Sequence, residues 1–150
     1  MKKNILILLI AVSLLVGIMS VTRAEVFMWN EDRERGTYTT AVAYVSGYWY
    51  YPPGELRRAY ACVKGIVNST LPLDGIVVGF QFQWDGYDTG WHIVFSPDVD
   101  EPGEELTVEV RPGTVTYIIA SGRVGYGYVV DNVLYYCNDT REVSASLPFV

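Results

Sequence analysis

The chain has 150 residues, of which 50% are hydrophobic, 14% aromatic and 19% charged. That is room for one domain with a sizeable core, and it excludes intrinsic disorder. The net charge is −6 and the eleven Lys and Arg form no stripe, which excludes a nucleic-acid partner; one His and two Cys exclude His-rich metal sites, zinc ribbons and disulfide-dense miniature scaffolds.

Lys2 and Lys3 precede an apolar run from Ile5 to Met19, followed by the more polar Ser20 to Ala24. A charged start, an apolar middle and small residues at Thr22 and Ala24 read as a signal peptide cleaved after Ala24. The alternative is an uncleaved anchor, because extending the run to Thr22 gives about 18 residues, the lower limit for crossing a bilayer. Both readings put the remainder outside the cytoplasm, at the cell surface or beyond. Loss of Lys2, Lys3 and Arg23 leaves eight basic against seventeen acidic residues, so the exported part carries −9.

Residues 25–36 read as a spacer or an edge strand, and residues 37–150 as the folded domain. From Thr37 onward the apolar period is two, the signature of strands. Tyr38, Val42 and Tyr44 share one face, as do Tyr60, Cys62 and Ile66 after the turn Y-P-P-G-E at 51–55. Ile76, Val78, Phe80, Phe82 and Trp84 give the next segment one fully apolar side. Trp91, Ile93 and Phe95 follow, then Leu106, Val108 and Val110, then Val115, Tyr117 and Ile119. Val124 to Cys137 is long for one strand, so Gly125 and Gly127 mark a bulge or bend inside it. Val143, Ala145 and Leu147 close the series. Seven to nine strands without a helical crossover exclude a parallel α/β sheet and predict an all-β, antiparallel two-sheet sandwich, either a jelly roll or an immunoglobulin-like Greek key.

In an exported chain an even number of cysteines reads as paired, so Cys62 and Cys137 are expected to be joined. Closing a loop of about 75 residues would stabilise the fold by roughly 4 kcal/mol on chain entropy alone. Around the second Cys, D-N-V-L-Y-Y-C resembles the penultimate strand of immunoglobulin domains, where a Tyr stands two residues before the Cys. The overlapping V-V-D-N-V-L-Y-Y is similar to the last strand of jelly-roll carbohydrate-binding modules. Both resemblances imply a sandwich, and they leave the family open.

Two aromatic groups are the candidate ligand-binding residues: Tyr48, Trp49, Tyr50 and Tyr51 in one run, and Trp84, Tyr87 and Trp91 around the loop D-G-Y-D-T-G. Neighbours in an extended chain point to opposite sides, so at least two rings of the first run leave the core face. Such rings stack on sugars or anchor protein contacts; packing in the core is their more ordinary use. No basic residue falls between Lys64 and Arg111, and the acids there include Asp98, Asp100 and Glu101, which offer oxygen ligands for calcium. A solvated acidic loop explains them equally well. Asn68 and Asn138 head N-x-T sequons, glycosylation acceptors in a host that modifies exported proteins.

Catalysis has little support: there is no nucleophile elbow, no H-E-x-x-H and no phosphate loop, and His92 is the single histidine. A carboxylate pair built from Glu109 with Asp85 or Asp88 is the one hydrolase arrangement worth carrying forward. The composition therefore predicts an exported, non-catalytic binding domain whose ligand is a glycan or a cell-envelope protein, with no cofactor beyond a possible calcium ion and no membrane contact beyond an uncleaved leader. The alternative is a structural subunit of a surface layer or filament.

Overall fold

The computed structural model describes residues 24–148; Lys2, Lys3 and the apolar run Ile5–Met19, which carry the signal-peptide expectation, lie outside the described residues. The described chain is all strand and turn: β1 (Ala24–Arg35), β2 (Thr39–Tyr51), β3 (Glu55–Val67), β4 (Gly75–Trp84), β5 (Tyr87–Asp88), β6 (His92–Ser96), β7 (Glu105–Val115), β8 (Ile118–Val130), β9 (Val133–Asn138) and β10 (Val143–Leu147). All pairings are antiparallel. The first sheet has the order β1-β2-β3-β7. In the second, β8 and β4 form the centre, β9 and β10 lie end to end along one flank of β8, and β5 and β6 do the same along β4.

The two sheets face each other across one core built from alternate residues of both. The first contributes Ala41, Ala43, Val45, Leu56, Ala61 and Val63; the second contributes Ile76, Val78, Phe82, Ile118, Ala120 and Val124. The period of two expected from the sequence is present. The face turned inward on β2 and β3, however, is the one with the smaller residues. Small side chains let the sheets approach closely: a Cβ on Gly65 would come within 2.8 Å of Val78 and 2.9 Å of Ile76. Val42, Tyr44, Tyr60 and Cys62 are therefore on the outer face of the first sheet, as their registers with Lys64 and Glu109 require.

Of the two readings of residues 25–36, the edge strand is the one present: they supply most of a 12-residue strand paired with Thr40–Tyr51 of β2. Three expectations change. Val115 ends β7, and the next strand starts at Ile118 with Ile118, Ala120 and Val124 inward, so the Val115, Tyr117, Ile119 register is shifted. Gly125 and Gly127 make no bend: the segment 124–137 is a hairpin that turns at Asp131 and Asn132, both left-handed at φ 52° and 62°, the geometry favoured for two-residue hairpin turns. Finally, Cys62 and Cys137 are free thiols. Cys62 is on the outer side of the first sheet, while Cys137 is exposed on β9 of the second, so the core separates them and the expected bond does not form.

Three clasps hold the ends. The Asp139 carboxylate, just past β9, accepts hydrogen bonds from the amides of Thr37, Tyr38 and Thr39 and from Thr39 Oγ1 at 2.7–3.1 Å. At the opposite end Asp85 accepts from the Thr116 amide at 2.9 Å and Thr116 Oγ1 at 2.7 Å. Asn30 and Asp32 of β1 reach across to β10, Asn30 Nδ2 donating to the Ser146 carbonyl and Asp32 accepting from the Ser144 amide.

Candidate functional site

On the outer face of the second sheet the alternation that sends Ile76 and Val78 inward leaves Val77 and Gly79 outward. Gly79 has no side chain, and its strand neighbours are Ile93 on β6 and Arg123 on β8. Beside Arg123, Gly125 and Gly127 pair with Asn138 and Tyr136 of β9. Trp91, one residue before β6, stands over the same face. Val77, Gly79, Trp91, Ile93, Arg123, Tyr136 and Asn138 line a cleft of about 210 Å³. That is below the roughly 300 Å³ of the smallest drug-sized pockets, and it suits one ring-sized group.

The cleft combines flat apolar walls with fixed polar groups. The Arg123 guanidinium lies 5.2 Å from the centre of the Trp91 ring, a cation–π arrangement. Its Nη2 is 3.4 Å from Glu142, and its Nε is buried with no partner. Trp91 is 44% exposed, so one face of the ring remains open beside the cation, and the Asn138 amide adds a donor and an acceptor.

The aromatic residues expected to bind ligand are not brought together. Trp84 and Tyr87 stack on each other with ring centres 4.7 Å apart, and Trp84 packs on the core; Trp91 is on the opposite face of the sheet. Of the run on β2, Trp49 packs on the core, Tyr48 and Tyr50 turn to the outer face, and Tyr51 is exposed at the strand end. Tyr50 carries the Arg57 guanidinium 4.6 Å from its ring and Tyr48 lies against Phe27.

That outer face of the first sheet is a second surface with chemical character. Trp29, Tyr44 and Tyr60 follow one another across β1, β2 and β3, and a hollow of about 430 Å³ lies between Tyr44, Tyr60, Lys64 and Arg33. Tyr60 donates to Glu109 at 2.8 Å; burial and then the Glu109 carboxylate push its phenol well above the ordinary range. Burial likewise pushes the Cys62 thiol up, which makes it a poor nucleophile.

The carboxylates do not assemble a hydrolytic pair. Glu109 faces outward on the first sheet between Tyr60 and Arg111, whereas Asp85 is engaged with Thr116 at the end of the second. Asp88 accepts from Gln81, Gln83 and the Gly90 amide. Asp98, Asp100 and Glu101 lie in a loop whose Asp100 and Glu101 amides donate to Glu104. Among the described residues no three His, Cys, Asp or Glu side chains converge as a metal site. Asn68 has a buried, unpartnered Nδ2 and accepts from Thr40 Oγ1 at 2.9 Å; a glycan on that nitrogen is incompatible with this packing. Asn138 is exposed.

Arg123, Ile93, Tyr136 and Asn138 were not singled out as a binding group in the sequence. The available signal was the glycine at every second position beside Arg123, which becomes informative once the D-N turn places β9 against β8.

No family model matches the chain, nor does any curated protein. Among solved structures, a crystal structure of a protein from Archaeoglobus fulgidus aligns with 85% of this chain and 98% of its own, at 10% identity and a TM-score of 0.26.

Proposed function

We propose that the chain is an exported, non-catalytic binding domain that takes one sugar unit of a glycan in the cleft on the second sheet. The observation that carries this reading is the open Trp91 ring beside the Arg123 guanidinium, with Tyr136 and Asn138 on the opposite wall. An aromatic face supports the apolar side of a sugar, and a guanidinium and an amide match its hydroxyls.

In its finer architecture the domain is an immunoglobulin-like Greek key. The constant-type arrangement places strands A, B, E and D in one sheet and C, F and G in the other; β2-β3-β7 and β4-β8-β9 take the neighbours of A-B-E and C-F-G, while β5 and β6, in the place of D, pair with β4 of the second sheet instead. In that assignment V-L-Y-Y-C falls on the counterpart of strand G rather than F, with D-N in the turn before it and β10 following, and core packing rather than a bond between sulfurs joins the sheets.

A glycan array probed with the full chain tests the reading. Binding is expected to fall at least tenfold in Trp91→Ala and in Arg123→Ala and to survive Trp49→Phe. Binding indifferent to both cleft changes removes the cleft from the mechanism.

The second reading, an assembly subunit, draws on the 60% exposure of Trp29 and the exposed Val26 and Phe27 on edge strand β1. Sedimentation decides between them: a glycan binder stays monomeric as concentration rises, and an assembly subunit does not.

A further inference from the structure

We infer that the outer face of the first sheet carries a second glycan site, a hollow over Val42 that takes a carboxylate-bearing sugar unit of an acidic polysaccharide. It lies on the other sheet from the cleft, takes a different class of sugar, and stands whether or not the cleft binds. The register builds it. Arg33 of β1 and Lys64 of β3 are both paired with Val42 of β2, so two strand spacings, about 10 Å, separate their backbones and the short valine lies between them. Two residues along the strand, Tyr44 pairs with Glu31 and Cys62. Long side chains around a short one leave a hollow of about 430 Å³, walled by Tyr44 and Tyr60 and floored by Val42, Cys62 and Ile66. It has about twice the volume of the cleft, room for more than one ring.

The second observation is which donors are free. Arg33 engages Glu31 through Nε alone at 3.0 Å, and Lys64 has one partner, Glu105, at 3.4 Å. Among the described residues the terminal nitrogens of Arg33 and the remaining protons of Lys64 have no acceptor. Ion pairs as exposed as these are weak. A carboxylate entering between them gains a forked contact from Arg33 and a point charge from Lys64. Tyr44 and Tyr60 offer an apolar wall to the C–H face of a sugar ring, and Trp29, whose plane lies within 19° of Tyr44, extends it. Glu31 and the Thr107 hydroxyl, also in the lining, accept from sugar hydroxyls. A simple aromatic or aliphatic acid gives Glu31 no such donor and leaves its carboxylate desolvated, so the hollow favours a polyhydroxy acid. Burial keeps the Cys62 thiol protonated, so the floor adds no negative charge.

Charge is divided in the same sense. Past Ala24 the chain has eight basic and seventeen acidic side chains. Six of the basic ones, Arg33, Arg35, Arg57, Arg58, Lys64 and Arg111, belong to this face, alongside five of the acids. The rest of the molecule therefore holds two cations against twelve carboxylates. An anionic chain is repelled by that remainder and steered toward the outer face of the first sheet.

The test titrates the full chain with trigalacturonate and, in parallel, with its methyl ester, which keeps the rings and loses the charges. Calorimetry is expected to show saturable binding of the acid and at least fivefold weaker binding of the ester. Arg33→Gln and Lys64→Gln should each weaken binding of the acid at least fivefold and Tyr44→Leu at least tenfold, while Trp91→Ala on the other sheet leaves it unchanged. A second readout needs no variant: bound trigalacturonate covers Cys62 and should slow its alkylation at least threefold, with the exposed Cys137 unaffected. No saturable binding, an ester or a tetraglutamate peptide that binds as tightly as the acid, indifference to both glutamine changes, or an unprotected Cys62 refutes the site. Loss of trigalacturonate binding in Trp91→Ala refutes it as well, and assigns that ligand to the cleft.

Discussion

Asp139→Ala removes one side chain and opens one end of the molecule. The carboxylate accepts four hydrogen bonds, three from consecutive amides at Thr37, Tyr38 and Thr39 and one from Thr39 Oγ1. Gly36 makes the approach possible, since a Cβ there would lie 2.7 Å from Asp139 Cγ. Thr37 is exposed and regains water in the variant. Thr39 is fully buried and Tyr38 half-buried, so their amides lose a charged acceptor without replacement, at about 1–3 kcal/mol each. A total near 4 kcal/mol, divided by a urea dependence of about 1.5 kcal/mol/M for a domain of this size, lowers the unfolding midpoint by roughly 2–3 M. Asp139→Asn keeps one acceptor oxygen and should lose about half as much. Urea unfolding followed by tryptophan fluorescence measures both. A midpoint within about 0.5 M of the parent for Asp139→Ala would show that the clasp does not hold the β1–β2 turn.

Gly65→Ala places a Cβ within 2.8–3.0 Å of Ile76, Val78 and Val124, and overpacking of about 1–3 kcal/mol should lower Tm by roughly 5 °C or more in a thermal melt; an unchanged Tm means that the sheets can separate at no cost. Slight burial alone would raise the Asp85 carboxyl, but the hydrogen bonds from Thr116 and Tyr117 outweigh it and hold the group below its ordinary range. A depressed carboxylate stabilises the fold above its unfolded pKa, and that advantage is lost as pH falls through the lower, folded one. The stability gap between the parent and Asp85→Asn should therefore be full at pH 7 and close below about pH 4; a gap independent of pH would refute it. Native alkylation should modify the exposed Cys137 quickly and the buried Cys62 slowly, with mass spectrometry finding no linked peptide; a Cys62–Cys137 peptide pair would contradict the placement of the sulfurs.

The strands were legible because their period of two survives in the sequence, most plainly from Ile76 to Trp84. Which side faced inward was less so. On β2 the larger alternate residues are Val42, Tyr44 and Tyr48, and size alone suggests that they fill the core. The core instead takes Ala41, Ala43 and Val45, because Gly65 and Gly122 bring the opposing backbone too near for rings. The hairpin at Asp131–Asn132 was hidden by the apolar residues on both sides of it, which made two strands read as one. The cysteines misled for a related reason: even number and export imply a bond only if both sulfurs lie on facing sides, and register sets that. The cleft was the least legible feature, since its seven residues come from four separate stretches of chain and only Trp91 had been singled out as a binding residue.

The strands at the flanks of the second sheet are interrupted, β5 from β6 and β9 from β10, and β7 contains Pro112, which has no amide to offer. β1 differs: its 12 residues run beside β2 without a shift in register, leaving an unbroken row of outward amides and carbonyls. Such a row invites another chain to add a strand. Its second half is closed to that by five consecutive charged side chains, Glu31 to Arg35. The remaining foothold is Val26 to Asn30, so a neighbour that extends the first sheet along β1 can grip only the half lying toward Ala24.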